Sequence, residues 1–185
     1  MVSGGYKMER VWNKDWRKSV IVLSGGFDPV HKGHLRMFRE ASWLGHQVII
    51  GLNSDEWLKS KKGTPFMKFD ERKEILEGFK YVNQVIPFDD KDGTACNLIR
   101  RVRTMYNSET YDYPYPDVPA QGMEDYYKIY FANGGDRTEE NVPELDVCKE
   151  LDVVMLWGVG GGKIQSSSWL TGRSHDPNKH GEQYE

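Results

Sequence analysis

The sequence predicts an α/β fold: a Rossmann-like parallel sheet of five strands with helices on both faces. Three observations carry this. Apolar, β-branched runs alternate with segments of helical periodicity along most of the chain. The runs are continuous rather than alternating, the pattern of strands covered on both faces. Glycines and small polar residues fall between the two kinds of segment, where turns and helix caps need them. A length of 185 residues fits one domain with a hydrophobic core.

Residues 1–18 read as a polar arm, residues 19–172 as the domain, and residues 173–185 as a polar tail. The first strand is the run at 20–23, ended by Ser24, Gly25 and Gly26. From Gly33 the spacing turns helical: Leu35, Phe38, Ala41 and Leu44 share one face, and Gly45 closes the helix. Residues 47–52 form the second strand. Residues 53–55 turn the chain and cap a short helix through Trp57 and Leu58. Residues 59–68 read as a basic loop. Asp70 is placed as the N-cap of a helix to about residue 79. A third strand covers 82–88 and a helix 95–105. The fourth strand is 127–132, a short helix spans 143–150, and the fifth strand is 153–157. A last helix starts near Ser167. Residues 106–127 are rich in Tyr and Pro without periodicity and read as an insertion. They lead into the fourth strand, so they are expected to shape the acceptor side of a site there.

Composition narrows the function classes. The net charge of −3 gives no overall positive field for nucleic acid. No apolar run reaches the roughly 18 residues of a membrane span, and the first residues lack the apolar segment of a signal peptide. Cys96 and Cys148 form no CxxC, so a disulfide framework or zinc site is not indicated and a cytoplasmic setting is expected. Gly158 and Gly160 to Lys163 imitate a phosphate loop, but Trp157 and Ile164 stand where it needs Gly and Ser or Thr.

In a parallel sheet of this kind ligands sit beyond the carboxyl ends of the strands. After the first strand comes Gly25-Gly-Phe-Asp-Pro-Val-His31-Lys-Gly-His34-Leu35. Glycines let a phosphate approach the backbone, and a helix N-terminus attracts it. His31 and His34 are placed to donate N–H groups to phosphate oxygens. Asp28 has two readings, a site residue or a holder of the turn.

This stretch resembles the HxGH signature of the cytidylyltransferase-like nucleotidyltransferases. Asn53-Ser-Asp-Glu56, the lysines at 59–62 and Asp70-Glu-Arg-Lys-Glu-Ile-Leu76 are similar to the glycerol-3-phosphate cytidylyltransferase group. Gly134-Gly-Asp136 is closer to the heptose-phosphate adenylyltransferase group, and Ser166-Ser-Ser168 resembles the motif that starts the family's last helix. The resemblance covers about residues 20–170. It implies that His31 and His34 bind the triphosphate and act at the α-phosphate, helped by Lys61 or Lys62. It implies that Arg72 holds the acceptor phosphate or the triphosphate. Gly25, Gly26, Phe27, Asp28, Gly134, Gly135, Asp136, Ser166, Ser167 and Ser168 would line the nucleotide. The implied substrates are CTP or ATP, with Mg2+, and a small phosphorylated acceptor; homodimers are common in the family. The sequence departs from the family at Gly26, where Thr is frequent, and before Ser166, where Lys163 and a glycine run replace the usual basic residue. Dinucleotide synthesis, as in nicotinate mononucleotide adenylyltransferases, and non-catalytic nucleotide binding are the alternative readings. An aminoacyl-tRNA synthetase is excluded by length.

Overall fold

The computed structural model describes residues 19–106, 127–134 and 142–173. Its elements are β1 (Ser19–Gly25), α1 (Lys32–Leu44), β2 (Gln47–Leu52), α2 (Asp55–Lys62), α3 (Phe69–Glu77) and β3 (Gln84–Pro87). They continue with α4 (Cys96–Met105), β4 (Lys128–Ala132), α5 (Leu145–Glu150), β5 (Val153–Leu156) and α6 (Ser167–Leu170). All strand pairs are parallel, in the order β3-β2-β1-β4-β5. The chain builds outward from β1 to β3, then crosses back to lay β4 and β5 on the other side. The order therefore reverses between β1 and β4, and a crevice is expected beyond their carboxyl ends.

The continuous apolar run of β1 is buried because both faces of the sheet are covered. Val20 and Val22 pack with Leu98, Ile99 and Val102 of α4 and with Val147 and Cys148 of α5. Ile21 and Leu23 pack on the other face with Phe38 and Ala41 of α1 and Leu76 of α3. Each such Val, Leu, Ile or Phe side chain, fully withdrawn from water, contributes about 1.5–3 kcal/mol of transfer free energy.

Several boundaries differ from the sequence reading. The first four residues of the expected basic loop are helical, because α2 runs to Lys62. Ser54 caps it by accepting from Trp57 N–H, Asp55 and Glu56 sit at its positive end, and Lys59, Lys61 and Lys62 sit at its negative end. Asp70 is not the cap of α3; the helix starts at Phe69, and Asp70 lies in its first turn. The helix α5 begins at Leu145, two residues later than expected, and β3 is trimmed at both ends.

The tyrosine-rich segment is attached at the far end of the sheet. Tyr106 follows α4, its hydroxyl donates to Gln47 at the start of β2, and its ring meets Tyr127 edge-on at 5.0 Å just before β4 begins. Both anchors lie at the amino ends of strands, opposite the crevice. The expectation that residues 106–127 shape the acceptor side falls, between these two anchors, on residues outside the described ones. Residues 107–126, the arm 1–18 and the tail 174–185 lie outside the described residues.

Candidate nucleotide site

A cavity of about 290 Å³ opens at the reversal point. Its floor is the end of β1, with Ser24, Gly25 and Phe27. One wall is the start of α1, with His31, Gly33, His34 and Met37. Asn133 and Gly134 close it beyond β4, and residues 159–167 close it beyond β5. Chain segments more than 100 residues apart in sequence meet here because the crossover from β3 to β4 returns the chain to the other side of β1.

His31 and His34 form a reciprocal cap at the start of α1. Nδ1 of His31 accepts from Gly33 N–H at 3.1 Å and His34 N–H at 3.4 Å; Nδ1 of His34 accepts from His31 N–H at 3.3 Å. The helix therefore starts at Lys32 rather than Gly33, with His31 as its cap. The rings stack at 3.7 Å between centroids, and Phe27 packs edge-on against His34 at 4.8 Å. Phe27 itself takes a positive φ of 47°, held by burial against His34 and Phe38. With both Nδ1 atoms accepting from backbone, each neutral ring carries its proton on Nε2, the atom left to donate.

Both rings are held neutral. Burial, then the charge of Lys62, pushes His31 down to about 4 against a raising backbone hydrogen bond. Burial, then His31 and Lys62, pushes His34 down to about 3. The unfolded chain binds protons below pH 6.5 that the ligand-free native site refuses, so stability falls as pH drops from 6.5 toward about 4 for His31 and about 3 for His34. Nitrogen NMR of the ligand-free protein should find both rings as the Nε2–H tautomer, with no titration between about pH 8 and 5. An ordinary midpoint near 6.5 for either ring would contradict the neutral pair.

Lys62, not Lys61, lines the cavity. Burial lowers its pKa, Asp28 opposes that, and Arg173 and Arg72 add to it. Lys61 lies on the other side of α2, 5.9 Å over the Trp57 ring.

Arg72 does not face the cavity, which corrects its expected role as a phosphate ligand. It is fully buried. Its Nε donates to Met67 O at 3.2 Å, one terminal nitrogen donates to Gly26 O at 2.7 Å and Asn53 O at 2.9 Å, and the other donates to Asp55 at 2.7 Å. Four donors are occupied by the protein, and the guanidinium ties together the ends of β1 and β2, the start of α2 and the loop before α3. Asp28 is likewise turned inward and buried, accepting from Phe66 N–H and Met67 N–H, each at 2.8 Å. It holds the turn, one of its two sequence readings, and not the cavity wall.

Gly26 also lies off the cavity, and its departure from Thr has a steric cause. A Cβ there would stand 2.6 Å from Leu58 Cδ2, so the buried Leu58 of α2 fills that space. Ser166 caps α6 by accepting from Ser168 N–H, and the Ser167 hydroxyl donates to Pro29 O at 2.9 Å, closing α6 against the β1–α1 turn. Ser166 and Ser167 line the cavity and Ser168 does not. Gly134 lines it; Gly135 and Asp136 lie outside the described residues.

Sequence reasoning missed Asn133, Glu40 and Asp90. Asn133 and Asp90 follow the ends of β4 and β3, so the strand-end rule is the signal that finds them. Buried Asp90 accepts from Asn53 Nδ2, Ser54 N–H and Ser54 Oγ–H at 2.7–3.0 Å, anchoring the start of α2. Glu40 is silent in sequence. Among the described residues no three His, Cys, Asp or Glu side chains cluster to hold a metal, and the cavity lining carries no carboxylate. No helix among the described residues is long and apolar enough to cross a membrane.

The model of the cytidylyltransferase-like family matches residues 22–153, from within β1 to the start of β5. The chain belongs to the cytidylyltransferase-like family. Its members are nucleotidyltransferases, the enzyme class that the strand-end motifs imply. The bifunctional protein HldE of Campylobacter concisus is 32% identical over 136 residues, covering 72% of this chain and 25% of that protein. The ethanolamine-phosphate cytidylyltransferase of Mus musculus is 31% identical over 84 residues, covering 45% of this chain and 18% of that protein. The chain thus spans about a quarter of the length of the HldE proteins it matches. Among solved structures, a lipopolysaccharide core biosynthesis protein from Thermoplasma volcanium GSS1 superposes with a TM-score of 0.54 at 15% identity, covering 78% of this chain and 98% of that one. That likeness is one of fold.

Proposed function

We propose that this member of the cytidylyltransferase-like family transfers CMP or AMP from the nucleoside triphosphate to a small phosphorylated acceptor, a polyol, sugar or amino-alcohol phosphate, and releases pyrophosphate. The observation that carries the reading is the stacked pair of neutral histidines, each with Nδ1 bound to backbone and Nε2–H left to donate, in a cavity at the reversal point. An oxygen of the acceptor phosphate attacks the α-phosphorus, and the bond from that phosphorus to the bridging oxygen of pyrophosphate breaks. No covalent enzyme intermediate is needed, so the protein contributes position and electrostatics. His31 and His34 donate to oxygens whose charge rises as the bond to pyrophosphate breaks. Lys62 and Lys163 offset the charge of the triphosphate, and the amino end of α1 adds its dipole. Magnesium is expected to enter with the triphosphate.

The test is a pyrophosphate-release screen of the four common triphosphates, with magnesium, against phosphorylated polyols, sugars, amino alcohols and nicotinate mononucleotide. Release should require CTP or ATP together with one of the first three acceptor classes. Release with nicotinate mononucleotide alone would replace the acceptor class. No release, together with no calorimetric binding of any triphosphate at about millimolar concentration, would overturn the reading.

A further inference from the structure

The glycine-rich stretch 158–162 forms part of the cavity wall through residues 159–162. It is not left loose. Gly160 donates its N–H to a carboxylate oxygen of Glu40 at 2.8 Å, a contact across 120 residues from the middle of α1 to the loop after β5. Two further bonds hold the same loop: Val159 N–H donates to Asn133 O at 3.1 Å, and Gly161 N–H donates to Gly158 O at 2.9 Å. Gly160 has a φ of +89°, and a Cβ there would lie 2.9 Å from Met37 Cα and 3.0 Å from Met37 N. The loop backbone therefore rests directly on α1, and only glycine fits at the contact. From that point residues 161–167 run along the cavity to the Ser166 cap.

We propose that Glu40 is a positioning residue for nucleotide binding. Through Gly160 N–H it fixes the glycine-rich loop to α1, which holds the loop, Lys163 and the start of α6 over the cavity. Glu40 does not line the cavity. A loop with positive φ at Gly158, Gly160 and Gly161 has a large conformational freedom to lose on ligand binding. A bond that orders it beforehand removes that cost from the binding step. The bond should act on affinity rather than on the chemical step, because the histidine pair sits on the first turn of α1 and does not depend on it.

The inference rests on the proposed nucleotide site, and the experiment separates the two. Wild type, Glu40→Gln and Glu40→Ala are compared by calorimetry with magnesium CTP and magnesium ATP, by steady-state kinetics, and by hydrogen exchange at the Gly160 amide. Gln keeps an acceptor for the N–H and removes the charge. The expected result is that Glu40→Ala weakens nucleotide binding about tenfold, the scale of one lost hydrogen bond. KM for the nucleotide rises by a similar factor, kcat stays within about twofold, and exchange at Gly160 speeds up. Glu40→Gln should stay near wild type in all three. Glu40→Ala with unchanged affinity, or Glu40→Gln as weak as Glu40→Ala, overturns the pin. Gly160 exchange unaffected in Glu40→Ala also overturns it, and this readout needs no nucleotide. A wild-type protein that binds neither triphosphate refutes the nucleotide site instead, while the exchange data still decide whether Glu40 orders the loop.

Discussion

Replacing His34 with Ala is expected to lower turnover by roughly 10²–10³ while leaving much of the nucleotide affinity in place. The reason lies in where its free donor points. Nδ1 is occupied by His31 N–H, so only Nε2–H is left for the cavity. The ring stays neutral because burial holds its pKa near 3, so it supplies a fixed dipole rather than a charge that binds any anion. A dipole aimed at an oxygen that gains charge during the reaction stabilises the transition state more than the ground state. Removing one such preorganised donor costs about 2.7–4 kcal/mol. The loss should appear in kcat, with little change in the nucleotide dissociation constant. His31→Ala should lose a larger share in binding, since His31 also caps the helix through Gly33 and His34 N–H and its loss loosens the turn itself. A folded His34→Ala protein with near-normal turnover would return the pair to a purely structural role.

Replacing Arg72 should act on the fold instead. Arg72→Ala is expected to destabilise the protein by about 3–5 kcal/mol, the scale of buried acceptors left without a donor together with the space of a lost core side chain. The change strands the carbonyls of Gly26, Asn53 and Met67 and one oxygen of Asp55, and it empties the space of a fully buried side chain. Asp55→Asn should cost less, because the Asn oxygen can still accept from the guanidinium and the bonds of Arg72 to the three carbonyls remain. Denaturant titration of the two variants checks the order. An Arg72→Ala midpoint equal to wild type would contradict the buried-anchor role, and nucleotide protection of Arg72 from substitution effects would favour direct contact. Because Arg72 ties Asp55 to the ends of β1 and β2, it also sets where α2 presents Lys62; residual activity in Arg72→Ala should fall for that reason.

The sequence by itself determined the sheet and the heart of the site. Continuous apolar runs such as residues 20–23 have no other economical burial than a strand covered on both faces, and the two clusters on either side of β1 are that arrangement. The HxGH turn was legible because its chemistry is local: a strand end, a helix start and two histidines all fall between Gly25 and His34. The start of the last helix at Ser167 was legible in the same local way.

Only the tertiary structure decided which residues face the cavity. Lys61 and Lys62 are neighbours on α2 and project to different sides, because successive helical residues are about 100° apart. Arg72 and Asp28 have residue types suited to phosphate or magnesium, yet three of the four partners of Arg72 lie 17–46 residues away and both partners of Asp28 lie 38–39 residues away, and those partners turn them inward. The contact of Glu40 with Gly160 spans 120 residues and leaves no trace in periodicity or composition. Local patterning reports which face of an element is buried, but hydrogen-bond partners distant in sequence are chosen by how the β3-to-β4 crossover folds the second half of the chain back beside β1.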